Sequence, residues 1–483
     1  MSDVCALKCC PLNSLETLLG WCAESVPKAL VAEEVDATSR HPAQCERPQT
    51  LVCHDMQGGY LPQDTSPSGY CIENGECDPF YFCHWWYVDI FVYFSHNFVT
   101  IPPVGWINAA HKHGVTVLGT FITEWEHGAQ LCSAMFSSRE NMESVVAKLV
   151  EIAVTYNFDG WLLNIENTIE FDQIEMVLEL VCLLTKRLRS TIGQRSRVIW
   201  YDSVIASSGR LRWQDELNAL NKPFFDLCDG IFLNYTWTEA SLRQTARLSV
   251  GRRCDVFVGV DVFGRNCMGG GGFNCNVPLD LIRRHGYSVA IFAFGWVYET
   301  LPKPDFCSNN HKFWNLLSVY LTCRKIFALP FCTNFSIGLH KGVFDLSKQQ
   351  RQPHFLCSTD RATDDQFYVK HDQETGFLCL GGRRTIRLLC TDIVCTGDVS
   401  VELEIAADAV EIVKPVVWTQ SIAPTSEERA VCLTFIERTD NGVSLICGSL
   451  ERNPDTRLTG VGIEVAAEDT ITLGRLRLCH AQC

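Results

Sequence analysis

The chain has 483 residues, 47% of them apolar and 20% charged, so it can bury a sizeable core and is not composed like a disordered protein. Its formal net charge of -15, with no stripe of Lys or Arg, argues against nucleic-acid and anionic-membrane partners; Arg283-Arg284 and Arg383-Arg384 are isolated pairs that read as solvated surface. Twenty-six cysteines stand in helix and strand patterns as small hydrophobes, with no CxxC pair and with poor zinc spacing at Cys390/Cys395 and Cys479/Cys483, so reduced thiols are expected, no metal site, and no cofactor.

In chain order, residues 1 to 48 read as an N-terminal arm, with a short amphipathic stretch from Leu15 to Trp21 and then a polar run. The first residues lack the basic and apolar regions of a secretory leader. The most apolar helical stretch, Met176 to Leu184, is broken by Glu179 and is far shorter than the roughly 20 residues that span a bilayer. A soluble, cytosolic protein without a membrane segment is expected.

From residue 49 to 330, apolar strand patterns alternate with helical ones. Eight strands are predicted: Thr50 to Cys53, Asp89 to Tyr93, Val115 to Phe121, Trp161 to Ile165, Val198 to Tyr201, Gly230 to Leu233, Val256 to Val260 and Val289 to Ala293. Helices are predicted over Asn141 to Thr155, Asp172 to Leu188, Trp213 to Leu220, Glu239 to Leu248 and Leu279 to Arg284. Eight βα units are the arithmetic of a TIM (β/α)8 barrel; a doubly wound open sheet would want a Gly-rich fingerprint after its first strand, which is missing. His111 and His113, two apart on a helical pattern, diverge and read as surface residues. The Gly-rich run Met268 to Phe273 lacks the Lys-Ser/Thr of a phosphate loop and reads as a flexible loop at the barrel top.

The strand ends carry the functional signal, because barrel sites are built where the strands finish. In order they bear His54-Asp55, Ser95-His96-Asn97, Glu124-Trp125, Asn164 with Glu166, Tyr201-Asp202, Asn234-Tyr235 with Trp237, Asp261 and Trp296. Carboxylates, amides and aromatic platforms together suit a sugar cleft. After Leu329-Pro330 the pattern turns to alternation without long helices, which predicts an all-β sandwich over residues 331 to 483, acting as an accessory domain packed on the barrel. Its strands are expected at Phe367 to Val369, Arg387 to Leu389, Val399 to Ile405, Val431 to Ile436, Val443 to Cys447, Val461 to Val465 and Ile471 to Leu478.

The segment Phe158-Asp-Gly-Trp-Leu-Leu-Asn-Ile-Glu166 concentrates the chemistry. Side chains alternate along a strand, so Asn164 and Glu166 share a face about 7 Å apart. Most glycosidases use two carboxyl groups, but some let a substrate group replace the enzyme nucleophile. An amide beside one carboxyl fits that exception: Asn164 would hold and polarise a 2-acetamido group, whose oxygen attacks, while Glu166 acts first as acid and then as base. That role wants Glu166 protonated at the outset, in apolar surroundings that raise its pKa. Tyr201 could bond the same acetamide, and Trp213, Trp237 and Trp296 could stack on sugar rings, Trp237 being the best placed. Trp125, Glu124, His96, Asn234, Asp202 and Asp261 complete the expected substrate-binding set.

Leu51 to Tyr60, Asp89 to His96, Ile101 to Trp106, Leu118 to Trp125, Phe158 to Asn167, Trp200 to Asp202, Trp213 to Asn218, Val258 to Phe263 and Gly295 to Glu299 together closely resemble glycoside hydrolase family 85, the endo-β-N-acetylglucosaminidases. The resemblance covers the barrel and fades into the C-terminal region. It implies hydrolysis of the β-1,4 bond within the N,N′-diacetylchitobiose core of N-glycans, on glycoproteins or free oligosaccharides. Asn164 would orient the acetamide, Glu166 would be the acid/base, Tyr201 would lie near the acetamide, and Trp213 and Trp237 would line the cleft. The family's cytosolic members fit the lack of a leader. They also fit the sequon Asn234-Tyr-Thr236 at a strand end, which glycosylation would block. The rivals are a chitinase-like barrel, whose Asp-Gly-x-Asp-x-Asp-x-Glu strand is disfavoured by Leu162 and Asn164, and a sugar-binding barrel without turnover, disfavoured by the presence of Glu166.

Overall fold

The computed structural model describes residues 8–34, 47–65, 80–322, 326, 329–333, 343–345, 350–352, 370–371, 378–380, 384–422, 426–440, 443–466 and 471–480. They form two compact units, the first taking in 8–34, 47–65 and 87–322, the second 80–86 and 326–480.

The first unit is a barrel of β1 (Thr50–His54), β2 (Ile90–Tyr93), β3 (Thr116–Glu124), β4 (Gly160–Glu166), β5 (Arg197–Tyr201), β6 (Gly230–Leu233), β7 (Val256–Asp261) and β8 (Ser288–Phe292). Each strand runs parallel to the next, and β8 pairs with β1, so the ring closes on eight strands. A two-residue strand, Val99–Thr100, lies antiparallel on β3 outside the ring. All eight predicted strands are present. They are apolar on both faces because helices cover the outside while alternate residues fill the inside. Leu51 and Cys53, Ile90 and Val92, Leu118 and Ile122, Leu162, Ile199 and Tyr201, Phe232, Phe257 and Ala290 make one enclosed apolar cluster. Every strand contributes to it through residues of a single parity.

The helices form for local reasons. α1 (Arg139–Tyr156) starts where the Ser138 side chain accepts the Asn141 N–H, buries Met142, Val145, Val146, Leu149, Ile152 and Ala153 at helical spacing, and stops at Asn157 in the left-handed region. α2 (Ile174–Thr191) and α3 (Glu239–Leu248) follow β4 and β6, and α4 (Asn276–Arg284) follows β7. The helix predicted over Trp213 to Leu220 does not form; that stretch is a loop, with a helical turn only at Lys222–Phe225. Its amides compete with helical bonding: Asn218 N–H donates to the Asn221 side chain, and Leu220 N–H to the Asn218 side chain.

At the lower rim, side chains fasten neighbouring strands. Asp89, Asp159 and Asp229 stand just before β2, β4 and β6, and accept the backbone N–H of Thr50, Val117 and Val198 at 2.8, 2.9 and 2.8 Å. Two expectations fail here. His111 is buried, not on the surface, and its Nε2 lies 2.7 Å from Asp159. Arg283 is no solvated cation, since it donates to the carbonyls of Gln49, Tyr287 and Tyr320 and to the Thr50 hydroxyl, and burial lowers its pKa to about 10. Arg383 and the side chain of Arg384 lie outside the described residues. The described part of the N-terminal arm packs on this unit, through a bridge between Leu12 and Val99 and a bond from Lys148 Nζ to the Trp21 carbonyl.

The second unit is built on two antiparallel sheets. One holds β9 (Arg384–Cys395), β11 (Val413–Ser421), β12 (Arg429–Cys432) and β15 (Asn453–Val465); the other holds β10 (Val399–Ala406), β13 (Phe435–Asp440), β14 (Val443–Leu450) and β16 (Ile471–His480), with short strands on the β16 side. Ile386, Val417, Val461 and Ile463 of the first sheet share one apolar core with Val401, Leu403, Ile446 and Leu476 of the second, which makes a sandwich. β11 was not expected, and Val431 to Ile436 divides between β12 and β13. The strand predicted at Phe367 to Val369 lies outside the described residues.

Candidate active site

The inward parity that fills the barrel also builds the site above it. Continuing each strand by two or four residues from the enclosed cluster leads to Asp55 after β1, His96 after β2, Glu124 on β3, Asn164 and Glu166 on β4, Tyr201 on β5, Asn234 after β6 and Asp261 on β7.

Glu166 is the centre of this set. Its Oε1 accepts the Trp213 indole N–H at 3.1 Å. Burial pushes its carboxyl above the ordinary range; the Trp213 bond opposes that, the neighbouring Glu124 charge adds to it, and Asn164 and His96 pull the other way. On the same face, Asn164 is 4% exposed, and its Oδ1 has no hydrogen-bond partner among the described residues. A buried acceptor left open costs free energy unless a ligand supplies a donor.

Glu124 stands directly opposite Glu166 in the β3–β4 register. Its two oxygens lie 3.1 and 3.2 Å from the His96 Nδ1. That bond raises the His96 pKa, burial opposing it. Burial likewise raises the Asp55 carboxyl, with His96 and Arg265 drawing it back. Next to Glu124, Trp125 begins the helix Trp125–Met135 with a φ of 53° and leaves its ring 69% exposed. A positive φ on a bulky residue is strained, and here it turns an indole to solvent beside the carboxyl pair.

Tyr201 is buried and donates to Asn234 Oδ1 at 2.8 Å, while Asn234 Nδ2 donates to Asp215 at 2.8 Å and Asp215 also takes the Thr236 N–H and hydroxyl. Asn234 is thus a relay in a network, and its amide is occupied at both ends. Asp215 was not singled out from the sequence; its φ of 55° and its place between two strand-end loops mark it only in three dimensions.

Several expected ligand contacts prove to be supports. Asp202 follows Tyr201, so its side chain points away from the barrel axis; it is 1% exposed and accepts the N–H groups of Gln214 and Asp215 and the Asn221 amide at 3.0, 2.8 and 2.9 Å. Burial pushes its carboxyl up to about 7 against the pull of these donors. It holds the loop that carries Trp213. Asp261 has the right parity, but both its oxygens are taken by the Arg265 guanidinium, at 2.7 and 3.1 Å, and by the N–H groups of Phe263 and Arg265. Trp237 is 3% exposed and donates to the Gly259 carbonyl at 2.7 Å, so it is wall rather than open platform. Trp296 is half-buried, with its ring edge-on to Phe273 at 5.5 Å and against Gly272. Trp213 and Trp125 are the tryptophans of the set that offer exposed rings.

The Gly-rich loop does lie at the barrel top, after β7, but as a close-packed turn. A Cβ on Gly271 would fall 2.5 Å from the Val262 carbonyl oxygen and the Gly264 nitrogen, at a φ of +75°. Among the described residues no group of His, Cys, Asp and Glu is arranged to hold a metal ion, and no helix is long and apolar enough to cross a membrane.

Residues 62–343, more than half of the chain, match the family model Glycosyl hydrolase family 85. The chain is 47% identical over 340 residues to the cytosolic endo-beta-N-acetylglucosaminidase of Gallus gallus, a match covering 70% of this chain and 46% of that protein. It is 48% identical over 329 residues to the Homo sapiens protein of the same name, covering 68% and 43%, and 45% identical over 345 residues to cytosolic endo-beta-N-acetylglucosaminidase 2 of Arabidopsis thaliana, covering 68% and 48%. The matches thus take in less than half the length of these relatives. The glycoside hydrolase domain of Endo-D from Streptococcus pneumoniae R6 superposes with a TM-score of 0.72 at 18% identity, over 99% of this chain and 84% of that one, which establishes a shared fold.

Proposed function

The chain belongs to glycosyl hydrolase family 85, and on that premise we propose that it is an endo-β-N-acetylglucosaminidase. It hydrolyses the β-1,4 bond within the N,N′-diacetylchitobiose core of N-glycans, on glycoproteins, glycopeptides or free oligosaccharides, and leaves one N-acetylglucosamine on the protein. The observation that carries this reading is the pairing of a Glu166 carboxyl pushed toward its protonated form with the open, buried Oδ1 of Asn164 on the same face.

In the proposed reaction, Asn164 Oδ1 accepts the acetamide N–H of the sugar on the non-reducing side of the bond. The acetamide oxygen attacks the anomeric carbon while the Glu166 proton passes to the glycosidic oxygen, and the bond to the leaving sugar breaks. The oxazolinium ion so formed keeps its N–H on Asn164 and is opened by water, whose proton returns to Glu166, and two inversions retain the β configuration. Neither step asks for a second enzyme carboxylate as nucleophile. Trp213 holds Glu166 in place, Tyr201 and Asn234 brace the acetamide side, and Trp125, His96 and Glu124 border the substrate. Trp237, Trp296, Asp202 and Asp261 act behind that surface. The barrel, residues 49–330, carries the activity, and the all-β region 331–483 is an accessory domain; the proposed role is N-glycan catabolism and the proposed setting is the cytosol, the word cytosolic standing in the relatives' names, without nucleic-acid or membrane partners.

The test is incubation of the purified protein with a high-mannose glycopeptide and mass analysis of the products. A peptide retaining a single N-acetylglucosamine is expected. An intact substrate that nevertheless binds would replace the hydrolase with the sugar-binding reading, and release of chitooligosaccharides from chitin with no action on the glycopeptide would favour the chitinase-like one.

A further inference from the structure

Two carboxylates on adjacent parallel strands, Glu124 and Glu166, stand opposite each other in register and on the same inward face. Such positions are separated by the inter-strand spacing of about 4.8 Å at the backbone. The reaction above uses Glu166 and leaves Glu124 without a chemical task. Yet Glu124 is held at its carboxylate end, where His96 Nδ1 reaches both oxygens from the loop after β2. The three groups therefore form a row across β2, β3 and β4: imidazole, carboxylate, carboxyl.

We propose that His96 and Glu124 are a positioning pair that sets how firmly Glu166 keeps its proton, the Glu124 charge favouring the protonated acid and the His96 charge limiting that effect. Neither needs to touch the reacting atoms. The Glu124 side chain is 19% exposed, so its charge is felt more strongly than it would be in water, whereas His96 is 56% exposed and its charge is more screened. The other groups facing Glu166 are Tyr201 on β5 and Tyr235 after β6, both phenols that burial keeps neutral, and the uncharged Trp213 and Asn164. Asp55 after β1 faces His96, and Asp261 at the end of β7 is closed by Arg265, so the row has one anion directly beside the acid.

The inference rests on Glu166 being the acid, and its test separates the two. Glu166 must be protonated to act, so kcat/KM falls as pH rises through its pKa. Glu124→Gln removes the neighbouring anion, and the alkaline limb should move down by roughly half a pH unit or more. His96→Asn leaves Glu124 uncompensated, and the limb should move up. His96→Arg keeps a cation there and should hold it at or below its wild-type position. Opposite displacements in the first two variants are the signature; a structural role for the pair would lower the rate in both without moving the limb apart. An unmoved limb, or displacement in one direction in all three, would overturn the proposal. Carbon-13 titration of the Glu166 carboxyl in glutamate-labelled protein reads the same displacements without turnover. Shifts there in an inactive protein would keep the coupling and remove the hydrolase reading.

Discussion

Removing the Asp202 side chain tests how the site is held. Three donors converge on it in a place almost closed to solvent: two backbone N–H groups of the Trp213 loop and the Asn221 amide. Each buried donor left without a partner costs about 1–3 kcal/mol, so an unmoved loop in Asp202→Ala would sacrifice about 3–9 kcal/mol. A loop that opens to water recovers much of this, and the net loss should settle at about 2–4 kcal/mol. Opening also withdraws Trp213 from Glu166. A hydrogen bond to a charged or partly charged carboxyl at a half-open position is worth about 1–2 kcal/mol, which is about tenfold or somewhat more in kcat/KM. Asp202→Asn can keep the oxygen that takes both backbone N–H groups but turns its NH2 toward the Asn221 NH2, so it should fall between wild type and Asp202→Ala. The assay is urea unfolding at pH 8, followed by tryptophan fluorescence, together with kcat/KM on a glycopeptide. An Asp202→Ala protein with the wild-type urea midpoint and wild-type kcat/KM would mean that the loop is held by something else.

Glu166→Gln should lower kcat by about 10²–10⁴ with an unchanged unfolding curve, since the residue ends a strand and is not part of the enclosed cluster; turnover near the wild-type rate would remove it as the acid. Asn164→Ala should lose turnover on natural N-glycans yet keep action on a preformed sugar oxazoline, and equal loss on both substrates would take Asn164 out of the acetamide role. Asp64 is buried between the Tyr93 hydroxyl and the Trp106 indole N–H, each at 3.0 Å, and burial raises its pKa from 3.8 to about 6. The folded protein therefore binds that proton more tightly than the unfolded chain. Stability is greatest below about pH 4 for this group and falls, by about 3 kcal/mol, as pH rises through 6. Asp64→Asn should flatten that part of the curve of unfolding free energy against pH, and an unaltered slope would exclude the assignment.

The barrel was legible because a parallel strand covered on both faces must be apolar throughout, and eight such runs alternate with helical patterns. Asn164 and Glu166 were legible for the opposite reason, as polar residues where such a run should have stayed apolar. Asp202 and Trp237 stand near strand ends but off the inward parity, and the structure packs each of them behind the site. Tyr201, one residue from Asp202, has the inward parity and joins the enclosed cluster. Asp261 shows the limit of that rule, since its parity is right and only the fold brings Arg265 round to close it. His111, on the helix before β3, and Asp159, just before β4, are 48 residues apart, a contact that no local pattern contains. The stretch Trp213 to Leu220 has a helical pattern, but the side chains of Asn218 and Asn221 bond to its backbone instead.

The three aspartates before β2, β4 and β6 divide labour along the barrel axis. Each accepts the N–H of the first or second residue of the preceding strand, so the ring is clasped at the end remote from Glu166, two strands to a clasp. The opposite mouth is relieved of keeping the staves together. Its loops can lengthen, carry strain such as that at Trp125, or exchange one aromatic for another without loosening the hoop, so the outline of the mouth can change at little risk to folding.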